Sequence, residues 1–87
     1  MFHIPRLMKL SIYSLKNILF QGEASLLNCQ TTMGEITVLD NHEALISVLS
    51  AGIIRILSKD KKEQFFQIKS GFLEVKMDNE VRVIVEE

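Results

Sequence analysis

The stretch Gly34-Glu35-Ile36-Thr37-Val38-Leu39-Asp40-Asn41-His42-Glu43-Ala44-Leu45-Ile46-Ser47-Val48-Leu49-Ser50-Ala51-Gly52 decides how the chain reads. It has three parts. Ile36 to Leu39 is a short apolar segment and reads as a strand. Asp40 to Glu43 is wholly polar, where the backbone can turn and side chains can reach water. Ala44 to Leu49 is apolar again and suits either a helical turn or a strand; its β-branched content and short length favour the strand. Gly34 and Gly52 bracket the unit, and glycine tolerates a positive φ.

Working outward toward the N-terminus, Ala24 to Thr32 alternates. Leu27, Cys29 and Thr31 form its more apolar face, and Leu26, Asn28 and Gln30 the other. Ile18 to Gln21 reads as a separate short strand stopped by Gly22, with a turn over Ser14 to Asn17 and a half-buried strand around Leu10 to Ile12. Toward the C-terminus, Gly52 to Leu57 is a strand, Lys59 to Lys62 a charged hairpin tip, and Glu63 to Lys69 the return. Ser70-Gly71 reads as a sharp corner. Phe72 to Met77 is a strand with Leu73, Val75 and Met77 on one side, Asp78-Asn79 a two-residue turn, and Val81 to Val85 the closing strand with Val81, Val83 and Val85 inward. No segment keeps a 3.6-residue period. About nine or ten short strands with regular turn signals predict an all-β fold, a small two-sheet β-sandwich or flattened barrel, because one layer would leave an apolar face wet.

Eighty-seven residues suit one domain. Residues 1–8 read as an N-terminal extension or as leader to an alternative start at Met8, and 9–87 as the domain. Residues 1–7 lack the charged start and apolar run of a signal peptide. The longest uncharged apolar stretch, Ala44 to Ile54, is short of the ~20 residues that cross a bilayer. Net charge is −1 with scattered Lys and Arg, so no cationic stripe argues for nucleic acid. The single Cys29 excludes an internal disulfide and a cysteine-rich zinc site, and its alternation position predicts burial rather than nucleophilic chemistry. His3 and His42 lie too far apart in sequence to propose a metal pair. Asp40 with Glu43 reads as a solvated turn rather than a carboxylate centre. The four glycines are isolated, so no phosphate-cradling loop is present. These readings predict no enzyme, no metal and no cofactor.

Several collinear blocks resemble the epsilon subunit of F-type ATP synthases. Gly34 to Leu45 is similar to that family's Gly-Glu-(apolar)-Gly-(apolar)-(apolar)-Pro-Gly-His-Ala-Pro-Leu. Ala51-Gly52-Ile53-Ile54-Arg55-Ile56 resembles its Pro-Gly-(apolar)-(apolar)-Arg-(apolar), Ser70 to Val75 its Ser-Gly-Gly-Phe-Leu-Glu-Val, and Asn79 to Val83 its Asn-x-Val-x-Val. Phe20-Gln21-Gly22 looks like its Phe-x-Gly strand end. The chain departs from the pattern at Thr37, at Asp40-Asn41 in place of Pro-Gly, at Glu43-Ala44, and at the missing glycine after Lys69-Ser70. An Asp-Asn turn is less stiff than Pro-Gly. The resemblance covers the family's N-terminal domain; typical members continue into a C-terminal helical hairpin, whereas this sequence ends at Glu86-Glu87.

The resemblance implies a non-catalytic rotor subunit. It would join the gamma subunit to the ring of c subunits and sit peripherally on the cytoplasmic face of a bacterial inner membrane. Glu35 and His42 stand at the family positions that face the polar loops of the ring, with Asp40, Asn41 and Glu43 making an acidic tip beside them. The gamma-facing surface is expected among apolar residues that alternation leaves outward: Phe65, Phe72, Ile53 and Ile84. The alternative is a free-standing β-sandwich that binds a ligand or serves as an adaptor.

Overall fold

The computed structural model describes residues 6–87. The strands are β1 (Met8–Ser14), β2 (Ile18–Thr31), β3 (Gly34–Val38), β4 (Leu45–Leu49), β5 (Gly52–Ser58), β6 (Glu63–Ile68), β7 (Ser70–Lys76) and β8 (Glu80–Glu86). No helix occurs among the described residues. β1 lies parallel to β8, and antiparallel pairing continues through β7 to β4. β2 spans both layers. Its first half pairs with β1; its second half pairs with β3 along one edge and β5 along the other, and β6 follows β5. A single pairing, Thr31 with Leu49, closes β4 onto the end of β2. The body is 18 Å in its thinnest dimension, as two layers about 10 Å apart require.

The core follows the predicted alternation. Leu10 and Ile12, Leu27 and Cys29, Ile54 and Ile56, Leu73 and Val75, and Val81, Val83 and Val85 all point into one buried cluster. Phe66 packs against it beside Ile68. Met8 opens β1, pairs with Ala24 and is buried; residues 1–5 of the expected extension lie outside the described residues. Ala44 to Leu49 resolves as a strand beginning at Leu45.

Four local expectations change, each for a visible reason. Gly22 does not stop a strand. It pairs with Leu10 in the middle of β2, so the two short segments read from sequence are one strand and the described strands number eight. The corner falls at Lys69, whose N–H donates to the Glu86 carbonyl at 2.7 Å, and Ser70-Gly71 begins β7. Gly71 is needed for close approach: a Cβ there would lie 2.6 Å from the Ile84 carbonyl oxygen. The β7–β8 turn holds three residues, Met77 to Asn79, between the paired Lys76 and Glu80. Asp78 and Asn79 take φ of 66° and 58°, the left-handed conformation their side chains tolerate. Because β7 ends at Lys76, Met77 leaves the alternation and is exposed instead of joining Leu73 and Val75.

Candidate partner-binding surfaces

The polar loop after β3 is held by its own chain at several points. Asp40 is half-buried and accepts from the Arg6 N–H at 3.3 Å. Asn41 takes a φ of 61°, and its N–H donates to Asn79 Oδ1 at 2.6 Å. The Asn79 carbonyl in turn accepts from the Lys9 N–H at 2.8 Å, which ties the loop to β1. His42 is half-buried, and its Nδ1–H donates to the Glu43 carbonyl at 2.8 Å. That carbonyl has only lone pairs to offer, so Nδ1 carries a proton in this bond, and in the neutral ring Nε2 is then the acceptor. Asn41 to Ala44 and the β7–β8 turn border an open groove of about 380 Å³. The loop is therefore seated on the neighbouring hairpin through the Asn41–Asn79 bond.

Glu35 stands elsewhere. It is the second residue of β3, opposite Gln30 and next to the β2–β3 turn, whereas Asp40 to His42 lie past the other end of the same strand. Glu35 is exposed, and its Oε2 accepts from Asn28 Nδ2 at 3.1 Å; the same amide donates to Thr37 Oγ1 at 2.9 Å. Asn28 was legible as a polar strand position, but its role in orienting Glu35 depends on register. The turn itself is fixed by buried Thr31, whose Oγ1 donates to the Gly34 carbonyl at 2.7 Å and accepts from the Met33 N–H at 3.0 Å. Gly34 has a φ of 120°, which suits glycine and strains other residues.

All four residues expected on an apolar contact surface are exposed: Phe65 by 60%, Phe72 by 57%, Ile53 by 55% and Ile84 by 44%. They do not form one patch. Phe72 and Ile84 are cross-strand neighbours on β7 and β8, and Val48 of β4 sits on the other flank of Phe72. Ile46 extends this group, and the cross-strand pair Glu74–Arg82, 3.8 Å apart, borders it. Ile53 and Phe65 share the outer face of β5 and β6, in the other layer, with Arg55 between them bonded to Glu63 at 2.9 Å. Ile46 and Val48 were missed from sequence. Alternation marks them as opposite in face to Leu49, but only the β4–β7 register sets them beside Phe72.

No group of three or more His, Cys, Asp or Glu side chains that could hold a metal ion occurs among the described residues. Cys29 is buried, and burial pushes its thiol up from 9.0 to about 11, which keeps it protonated and unreactive near neutrality.

The fold and these surfaces define a small two-layer β domain whose features available for contact are a seated polar loop and an apolar outer face on each layer. The chain belongs to the ATP synthase Delta/Epsilon chain beta-sandwich domain family, whose model matches residues 7–87. It is 38% identical over 68 residues to an ATP synthase epsilon chain of Hydrogenovibrio crunogenus, spanning 78% of this chain and 46% of that one. An ATP synthase epsilon chain of Clostridium novyi is 34% identical over 73 residues, 84% of this chain and 56% of the relative. The chain thus spans about half the length of the curated relatives it matches. Its fold also matches a chain in the cryo-EM structure of the OSCP/F1/c-ring part of the Euglena gracilis mitochondrial ATP synthase, with a TM-score of 0.88 at 24% identity over 99% of this chain and 54% of that one. A second match, in the central stalk and c-ring of the Tetrahymena thermophila mitochondrial ATP synthase, has a TM-score of 0.79 at 18% identity, over 95% of this chain and 66% of that one.

Proposed function

We propose that this domain is a non-catalytic part of the central stalk of an F-type ATP synthase, gripped by gamma on one face and by the ring of c subunits at another. It transmits rotation between ion flow and ATP synthesis or hydrolysis. The observation that carries the reading is the family match over residues 7–87. A stiff body with exposed contact surfaces suits this work, because torque is transmitted by packing and needs no reacting group.

Glu35, His42, Asp40 and Asn41 are the ring-facing residues in this reading. Glu35 offers a carboxylate pre-oriented by Asn28, and the seated loop offers His42 Nε2. Gamma docks on the face of Phe72 and Ile84, widened by Ile46 and Val48, since these form a contiguous apolar group. Ile53 and Phe65 belong to the other layer and fall outside that contact. The domain reaches the cytoplasmic side of a bacterial inner membrane through its complex; no helix among the described residues is long and apolar enough to cross a membrane.

The test is a double substitution, Glu35→Ala with His42→Ala, in the assembled motor. Ion pumping per ATP hydrolysed falls while the thermal midpoint of the isolated domain stays near that of the parent, because both side chains bond only near the surface. Unchanged coupling, or a large stability loss, refutes these assignments. Elution of the native protein without gamma and the c ring from solubilised membranes refutes the stalk reading altogether and favours the free-standing adaptor.

A further inference from the structure

Thr37 stands where the family pattern has glycine, and its side chain is bonded. It lies on the outer face of β3, opposite Asn28 of β2 and on the same side as Glu35. Asn28 is half-buried, and its Nδ2 donates to Thr37 Oγ1 at 2.9 Å and to Glu35 Oε2 at 3.1 Å. One amide nitrogen carries two hydrogens, so both bonds hold at once and keep the two oxygens about 5 Å apart. The carboxylate has only lone pairs, which fixes the amide with its nitrogen toward β3. Thr37 Oγ1 accepts with a lone pair, and its own hydrogen bonds to no group among the described residues. Arg55, the partner of Asn28 on the β5 side, is engaged by Glu63 at 2.9 Å, so no cation among the described residues neutralises Glu35. β3 pairs with β2 alone, which leaves this corner of the layer open along its outer edge. The cluster therefore presents a carboxylate and a hydroxyl side by side, both held in place before any contact is made.

We propose that Thr37 is a further contact residue of the ring-facing surface, and that Asn28 is the positioning residue for both Thr37 and Glu35. The proposal rests on the reading of Glu35 as a ring contact. The matching loop of the ring is polar at two points about 5 Å apart, with a hydrogen-bond donor for Glu35 and a polar group for the Thr37 hydroxyl. An apolar side chain at either point would strip a polar group of water without replacing its bond. Glycine in place of Thr37 would offer no hydroxyl to the loop and no acceptor to Asn28. The Asn28 bonds also lower the cost of contact. Glutamate has a rotamer-rich side chain, and a carboxylate already held in place loses less freedom when it binds.

The experiment measures the dissociation constant of the intact chain for membranes carrying the motor stripped of this subunit, and for the soluble gamma-containing part of the motor without its ring. Thr37→Val removes the hydroxyl and keeps a branched, strand-forming side chain. It is expected to raise the constant roughly two- to tenfold on membranes, as loss of one hydrogen bond does, and to leave it unchanged on the ringless part. Thr37→Ser keeps the hydroxyl and binds as the parent does. Asn28→Leu weakens membrane binding too, but adds nothing once Glu35→Ala and Thr37→Val are both present; a purely structural role for Asn28 would add to them. Circular dichroism confirms that each variant is folded. Glu35→Ala tests the underlying reading by itself: no effect on membranes overturns the ring assignment and this proposal with it. If Glu35→Ala weakens membrane binding and Thr37→Val does not, this proposal alone is overturned. Equal weakening by Thr37→Val with and without the ring, or an additive effect of Asn28→Leu, overturns it as well.

Discussion

Gly71→Ala is the most informative single substitution. Gly71 is flanked in the ladder by Leu49 on β4 and Val85 on β8, so the backbone there cannot swing aside. An added Cβ would meet the Ile84 carbonyl oxygen at 2.6 Å, Val85 Cγ1 at 3.2 Å and Val85 Cα at 3.3 Å. Contacts below 3.0 Å are essentially never found, so β7 and β8 must part locally by at least 0.4 Å, the difference between those two distances. The nearest obstacles are mostly backbone, which no rotamer change relieves. Overpacking of this kind costs about 1–3 kcal/mol, offset by about 0.4–1 kcal/mol from the reduced freedom of the unfolded chain. A net loss of roughly 1–2 kcal/mol lowers the thermal midpoint by roughly 4–16 °C in a domain of this size. Gly22→Ala is the control. Its Cβ would lie 3.5 Å from the Phe20 ring, an ordinary contact. Its φ is not positive, so only the unfolded-state gain remains and the midpoint holds or rises slightly. Scanning calorimetry on both variants measures this. A Gly71→Ala midpoint at or above the parent, or a Gly22→Ala loss exceeding that of Gly71→Ala, would refute the claim that close strand approach, rather than turn geometry, demands glycine at position 71.

Two further predictions concern the seated loop and the buried thiol. Asn79→Gly keeps the left-handed φ without strain but removes the acceptor for the Asn41 N–H; it costs about 0.5–1.5 kcal/mol, and hydrogen exchange at Asn41 accelerates. If Asn41 stays protected, the loop is held by something other than Asn79. The Cys29 thiol titrates near 11 in the folded protein against 9.0 as its ordinary value, so burial favours the protonated form. Its contribution to stability is complete below about pH 9 and lost as pH rises toward 11, because the unfolded chain ionises first. Denaturant titrations should fall in stability across that window, less steeply for Cys29→Ala, and iodoacetamide at pH 8 should modify native protein slowly. Rapid native alkylation at pH 8 would show that the thiol is exposed or activated.

Much of this molecule was legible from residue order. Alternation at Leu27 and Cys29, at Leu73 and Val75 and at Val81, Val83 and Val85 assigned inner faces correctly, because side chains on a strand alternate whatever the strand pairs with. Positive φ at Gly34, Gly52, Asp78 and Asn79 was likewise readable, since steric tolerance belongs to the residue itself. What alternation cannot supply is register. Tertiary pairing decided that Gly22 lies opposite Leu10 inside one long strand, that Gly71 serves close packing beside Ile84, and that Glu35 and His42 stand at opposite ends of β3. It also divided the four outward apolar residues between two faces and joined Ile46 and Val48 to one of them. Local sequence thus determined most of the side chains that are inside and which residues tolerate a turn; strand partners distant in sequence determined where the strands end and which outward side chains become neighbours, because contact between strands depends on pairing that no local pattern encodes.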